Sequence, residues 1–323
     1  MEKLTSWLLK EPVGVIPILD KWILFFFKII YLGLRFLVKI ALGRKRRDRL
    51  YIRFGIHFND SFGPSFYLVS FLYKAIKFLR LGNPASLKIS VPKYDYKVLC
   101  PIKKEEVINM TIREDDIIER FTPKQGDIVV DIGANIGRYT IIASKRVGTN
   151  GKVIAIEAHP GNFERLNRNI KLNQLTNVIP LNYAAYSKET KVKLYVPDEE
   201  SGYTIYHTLM ERKGKKFVEV DATTLDYLLL QLNEIGGGEA LEVLGVNWIK
   251  IDVEGAEFEV LKGATNVLSK SKDISLLIEV HGPDNYMPIV EFLSLYNFKI
   301  EFEKTYETGD KHIILRKYGS TIE

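Results

Sequence analysis

Between Asp127 and Gly148 the chain reads DIVVDIGANIGRYTIIASKRVG, and no other stretch restricts its fold so tightly. The run up to Ile132 is short and β-branched, as a strand buried on both faces should be. After it, Ile136, Thr140, Ile141, Ala143 and Ser144 fall at helical spacing, and Gly148 supplies a C-cap. The unit is therefore strand, tight turn, helix. Glycines at 133 and 137 let the backbone of the turn approach a ligand, and the free amides of the following helix point back at it. Such a turn suits a nucleotide-like group. Tight turns without a ligand also use glycine, so the pattern acquires meaning only from what surrounds it.

What surrounds it is a repeated alternation. LKISV and YKVLC read as strands around Pro92, and TIREDDIIERF as a short helix before Thr122-Pro123. Further strands are expected at 128–132, 152–156, 178–182, 191–196, 217–221, 247–252, 274–280, 297–302 and 311–316. Helices are expected at 136–147, 160–173, 223–234, 256–269 and 285–296. Alternation of this kind builds an α/β fold, with a mainly parallel sheet and helices on both faces. Ligands in such sheets bind beyond the carboxyl ends of the strands. Those ends carry Asp131 and the glycine turn, Glu157, Ala184-Ala185, the trio Asp252, Glu254 and Gly255, and finally Glu279 with His281. Glu157 follows Gly137 by twenty residues and stands where an acid can accept hydrogen bonds from a ribose diol.

The N-terminal quarter differs from the rest. Residues 1–87 hold 15 Lys+Arg against 5 Asp+Glu, a net +10, which leaves 31 against 35, or −4, for the remainder. Within WILFFFKIIYLGLRFLVKIALGRKRRDR, Lys21, Lys28 and Arg35 recur every seven residues and Lys39 follows four later, one narrow basic stripe on an otherwise apolar helix. Charges inside the run cost about 2.5–3.5 kcal/mol each at mid-membrane, which disfavours a span. A helix lying on an anionic bilayer through residues 21–47 fits best, with snorkelling basic side chains. Docking of the helix on protein is the alternative, and nucleic acid suits the apolar surroundings least. A second amphipathic segment runs from Ser61 to Asn83. Residues 1–87 thus read as an appended helical module and 88–323 as the α/β domain, placed on the cytoplasmic side of a membrane or in the cytoplasm. The single cysteine, Cys100, excludes an internal disulfide framework and reads as a small buried residue.

Over roughly 110–282 the chain resembles the FkbM-type S-adenosylmethionine-dependent methyltransferases. The resemblance rests on VVDIGANIGRYT, GKVIAIEAHPGNFERLNRNIKLN, IPLNYAAYS, the DATTLD segment, and WIKIDVEGAEFEVLKGA followed by LLIEVHG, in that order. It implies a class I methyltransferase fold, Rossmann-like. It also implies S-adenosylmethionine held by Asp131 and the turn Gly133, Ala134, Asn135 and Gly137 at its methionyl part, by Glu157 at the ribose, and by Ala184-Ala185 near the adenine. The turn NYAAYS carries no carboxylate for the adenine amine. A nicotinamide enzyme would require glycine at position 135, which is asparagine, and Asp131 would repel a pyrophosphate. A membrane-bound scaffold with an inactive methyltransferase fold is the other alternative, and the intact turn and Glu157 speak against it.

Methyl transfer to a hydroxyl needs an aligned acceptor and a group to take its proton. The resemblance makes Asp252, Glu254, Glu279 and His281 the candidates, with His281 as base, on a sugar, lipid-linked glycan or metabolite. Alternation along the strand sends Glu279 and His281 the same way. Glu257 reads as a solvated helix residue, and His57, His207 and His312 stand outside any constellation. Asp252 and Glu254 are hard oxygen ligands, but no third ligand follows at a telling spacing, so no metal is expected. The charged, Gly- and Tyr-containing segment 198–216 suits a loop over the acceptor.

Overall fold

The computed structural model describes residues 87–100, 110, 114–195, 216–235 and 245–317. The N-terminal apolar segments with their basic stripe, His57, His207 and residues 198–215 of the expected acceptor loop lie outside the described residues.

The described chain opens with an antiparallel hairpin, β1 (Leu87–Val91) and β2 (Tyr96–Cys100). A short helix α1 (Asp115–Arg120) precedes β3 (Ile128–Ile132), and α2 (Arg138–Val147), β4 (Lys152–Ile156), α3 (Pro160–Leu172) and β5 (Val178–Leu181) follow. Next come β6 (Ala184–Ala185), β7 (Thr190–Tyr195), β8 (Phe217–Thr223), α4 (Leu225–Ile235) and β9 (Val246–Ile251). The rest consists of α5 (Glu257–Lys262), α6 (Thr265–Lys270), β10 (Ile274–Val280), α7 (Pro283–Ser294), β11 (Lys299–Thr305) and β12 (Lys311–Lys317).

Seven strands form one sheet in the order β11-β12-β10-β9-β3-β4-β5. The pairs β3–β4, β4–β5, β3–β9 and β9–β10 are parallel, and β12 runs antiparallel to both its neighbours. This is the mainly parallel, Rossmann-like sheet of the class I methyltransferase fold. The central strands β3, β4, β9 and β10 are buried on both faces, as their β-branched sequences require, whereas the edge strand β11 is largely exposed. On β10, Leu276, Ile278 and Val280 pack with α4, α5, α6 and α7, whereas Leu277 points to the opposite layer with α1, α2 and the hairpin. Each such fully buried aliphatic side chain contributes about 1.5–3 kcal/mol. Cys100, the last residue of β2, is fully buried.

Two expectations are corrected. The strands near 191–196 and 217–221 do not join the main sheet; they form a separate three-stranded sheet, β6-β8-β7, with Ala184–Ala185 as its short parallel edge. The single helix expected over 256–269 is broken into α5 and α6. A Cβ on Gly263, at the break, would lie 2.0 Å from the carbonyl oxygen of Tyr186, so the chain there is pressed against a distant backbone.

The order of the sheet reverses at β3, which has β4 on one side and β9 on the other. Crossovers leave in opposite directions from that point, and a crevice opens at the carboxyl ends between them.

Candidate active site

The crevice is a solvent-open cleft of about 610 Å³, lined by Gly133, Asn135, Glu157, Tyr183, Ala184, Ala185, Leu194, Asp252 and Glu254 among others. Its floor is an extension of the sheet by hydrogen bonds. The amides of Gly133 and Ala134 both donate to the carbonyl of Ile156 at 3.0 Å, and that of Asp252 donates to Ile132 at 3.1 Å. Gly133 has φ +74°, and a Cβ there would stand 1.8 Å from the carbonyl oxygen of Asp252. Before any ligand needs it, this glycine is required by the close approach of the β3 turn to the end of β9.

Glu157 closes the cleft on the β4 side. Its carboxylate accepts from the amide of Asn135 at 2.7 Å and from that of His159 at 2.9 Å, and Asn182 donates to its backbone carbonyl at 2.8 Å. Burial pushes the Glu157 carboxyl up to about 7, against the pull of the two amide donors and of Lys250. Each oxygen keeps a lone pair for a further donor, such as a ribose hydroxyl.

Of the eight residues assigned to the cofactor, Gly133, Asn135, Glu157, Ala184 and Ala185 line the cleft, while Asp131, Ala134 and Gly137 do not. Asp131 is 1% exposed. Thr140 Oγ1 donates to its Oδ2 at 2.6 Å, and Lys250 Nζ lies 3.5 Å from its Oδ1. Asp131 therefore faces a side chain that the sequence reading did not single out. Lys250 is buried, donates to the carbonyl of Gly133 at 3.0 Å, and pairs with Asp252 Oδ2 at 3.2 Å. Burial pulls its ammonium pKa down, but Asp252 and Asp131 raise it further, so it stays charged.

At the other rim, Asp252, Glu254, Glu279 and His281 come together. His281 Nε2 is 3.6 Å from Glu254 Oε2 and 3.7 Å from Glu279 Oε1. Its Nδ1 lies 2.8 Å from Glu257 Oε1, which also accepts from the amide of Gly255 at 2.9 Å. Glu257, expected in solvent, is 0% exposed. Burial lowers the His281 pKa, but Glu257, Asp252, Glu254 and Glu279 together lift it to about 10. An imidazolium is a donor, so these surroundings do not make His281 a free-standing base. Glu254 is pushed up to about 8, chiefly by burial and then by Asp252. It also holds a left-handed backbone, φ 54°, costing about 1–2 kcal/mol. Strain of this kind persists where the surroundings over-determine it, as at sites of function.

His312 is also drawn in. It faces Glu279 across the β10–β12 ladder, and its Nε2 is 3.4 Å from Glu279 Oε2 and 3.8 Å from Glu114 Oε2. Among the described residues two triplets thus have ligand atoms close enough for one metal ion: Asp252, Glu279 and His281, and Glu114, Glu279 and His312. In the first triplet Glu254 has no part; Asp252 is joined by two residues of the neighbouring strand β10 and its end, a grouping that spacing within DVEG does not reveal.

A family model described as the Methyltransferase FkbM domain matches residues 131–300, just over half of the chain. A hexuronic acid methyltransferase, AglP, of Haloferax volcanii is 29% identical over 196 residues, 59% of this chain and 72% of that protein. Methyltransferase sdnD of Sordaria araneosa is 30% identical over 156 residues, 42% of this chain, which spans only 59% of that relative. Among solved structures, a methyltransferase FkbM from Methylobacillus flagellatus is 17% identical with a TM-score of 0.41, covering 59% of this chain and 43% of that one.

Proposed function

The chain belongs to the FkbM methyltransferase family, and from that premise we propose that it transfers the methyl group of S-adenosylmethionine to a hydroxyl of a sugar, a lipid-linked glycan or a metabolite. One observation carries the reading: one cleft at the switch point has the carboxylate of Glu157, with lone pairs left for a ribose diol, on one side and the acidic groups of Asp252 and Glu254 on the other. Glu157, Asn135 and the Ala184–Ala185 edge would hold the nucleoside of S-adenosylmethionine, which would supply an electrophilic methyl group to an acceptor at the acidic rim. The acceptor oxygen attacks that carbon in line, a C–O bond forms and the C–S bond breaks. The hydroxyl proton passes to a rim carboxylate, leaving a methyl ether and S-adenosylhomocysteine. Asp252 and Glu254 both line the cleft; Asp252 is held by Lys250 at 3.2 Å, and Glu254, its carboxyl raised to about 8 by burial, accepts the proton in its ionised form, with His281 Nε2 3.6 Å away. That one relative is a hexuronic acid methyltransferase supports a sugar hydroxyl. Pairing at position 135 favours the same cofactor, because its backbone amide is already spent on Glu157 and no glycine there accommodates a pyrophosphate.

The basic apolar segment 21–47 holds the enzyme on the cytoplasmic face of a membrane, which suits a lipid-linked acceptor; its sequence pattern alone supports this. Among the described residues no helix is long and apolar enough to cross a membrane.

Calorimetry on the purified chain should show micromolar binding of S-adenosylmethionine. Mass spectrometry of glycan and lipid extracts, from cells with and without the gene, should reveal a species differing by one methyl group. Binding of a nicotinamide dinucleotide with none of S-adenosylmethionine would sink the reading.

A further inference from the structure

We propose that Asp252, Glu279 and His281 form a site for one divalent cation of the Mn²⁺ class at the acidic rim of the cleft. The first ground is spacing. One ligand atom from each residue lies within 4.8 Å of the other two. His281 Nε2 stands 3.7 Å from Glu279 Oε1 and 3.6 Å from Glu254 Oε2, beyond hydrogen-bond reach. Ligands at about 2.1 Å from one octahedral ion sit ~3.0 Å apart when adjacent and ~4.2 Å apart when opposite. The ligand pair His281 and Glu279, at 3.7 Å, is too far apart for a hydrogen bond and within a small side-chain shift of an adjacent ligand pair.

The second ground is how the ligands are held. A metal-bound histidine regularly gives its other ring nitrogen to a carboxylate, which fixes the ring. Here Glu257 Oε1 takes Nδ1 at 2.8 Å, and Glu257 is fully buried at the start of α5, where an unpaired acid would be costly. Its Oε2 is buried and accepts no hydrogen bond from any described residue. Glu279 is braced in the same manner, because His312 holds its Oε2 at 3.4 Å and leaves Oε1 for the His281 side. Two outer groups, one on each ligand, thus turn both donor atoms toward the same point. Around that point stand four carboxylates, those of residues 252, 254, 257 and 279, against the imidazole of His281, that of His312 on the far oxygen of Glu279, and Lys250 on Asp252. A ligand set of two carboxylates and one imidazole suits a first-row divalent ion such as Mn²⁺ better than a soft metal.

The third ground is position. Asp252 lines the cleft, so an ion bound there would reach the acceptor oxygen, orient it and lower the pKa of its hydroxyl. This last role rests on the methyltransferase reading; the site itself does not.

Mn²⁺ binding to the full chain, followed by electron paramagnetic resonance and calorimetry without any acceptor, tests the site. The expected result is one ion per chain with micromolar affinity, weakened at least tenfold in Glu279→Gln and in His281→Ala. Glu257→Gln, which removes only the bracing carboxylate, should weaken it about 10–100-fold. Glu291→Gln, on the exposed side of α7, should bind as the wild type does. Melting curves identify any variant that fails to fold, and the wild-type titration decides the matter even then. Absence of Mn²⁺ binding at millimolar concentration, or equal binding by wild type, Glu279→Gln and His281→Ala, would overturn the proposal. Mn²⁺ binding with these losses in a chain that fails to bind S-adenosylmethionine would uphold the site while removing the methyltransferase reading.

Discussion

A buried carboxyl that must be ionised to work reports its burden through pH, and Glu157 is the clearest case. Burial lifts its folded pKa to about 7, from an unfolded value near 4.5. Because the folded value is raised, its contribution to stability is fully present below about pH 4.5 and is lost as pH rises through about 7. Ligand binding works in the opposite sense. A ribose diol donates to the ionised form, so S-adenosylmethionine should bind more tightly as pH rises toward 8 and approach a tenfold loss per unit well below 7. Calorimetric titrations from pH 5.5 to 8.5 read this slope directly, and Glu157→Gln should bind weakly with the slope removed. A wild-type affinity flat across that range would show that the carboxylate is not on the ligand. Lys250 makes the complementary point about charge. It was invisible as a functional residue because a lysine inside WIKID looks like an alternating strand position, yet it holds Asp131, Asp252 and the carbonyl of Gly133 at once.

At the scale of elements, the glycine turn is the joint between β3 and β9, and this gives Gly133 a sharper prediction than ligand approach alone. A methyl group at 133 would meet a backbone oxygen at 1.8 Å, which no side-chain rotation relieves, and the residue also needs φ +74°. Left-handed strain costs about 1–2 kcal/mol, and overpacking adds about 1–3 kcal/mol. Gly133→Ala should therefore melt several degrees below the wild type and lose S-adenosylmethionine binding together with it. A variant with wild-type melting and affinity would mean that the turn and β9 are not in contact. Most elements were legible beforehand, since β-branched runs such as IVVDI and ISLLIEV and the 3.6-residue pattern of α3 are local signals. What escaped was set by distant partners. The break at Gly263 comes from Tyr186, seventy-seven positions earlier, and the departure of β7 and β8 into their own sheet depends on which strand they pair with. The site divides along the same line. Strand ends named Asp252, Glu254, Glu279 and His281 as a group, but Glu257 and His312 join it only through α5 and the antiparallel β12.

At the scale of the whole chain, the separation of charge calls for an explanation that the catalytic domain does not supply. A net +10 in residues 1–87 beside −4 in the remainder would be an odd arrangement for a chain with no anionic surface to meet. If the stripe Lys21, Lys28, Arg35 and Lys39 faces lipid headgroups, each well-placed charge contributes about 1 kcal/mol, and the attraction fades over a Debye length of about 8–10 Å. The Phe, Leu and Ile residues of the same segment add an attraction that salt does not screen. Two components predict two behaviours in flotation of the full chain with vesicles containing an anionic phospholipid. Raising the salt concentration should release part of the protein and leave part bound. Replacing the four stripe residues by glutamine should abolish the salt-sensitive part only, so that the variant floats equally at low and high salt. Equal flotation of the variant and the wild type at every salt concentration would place the stripe away from the lipid, and the segment would then be covered by protein instead.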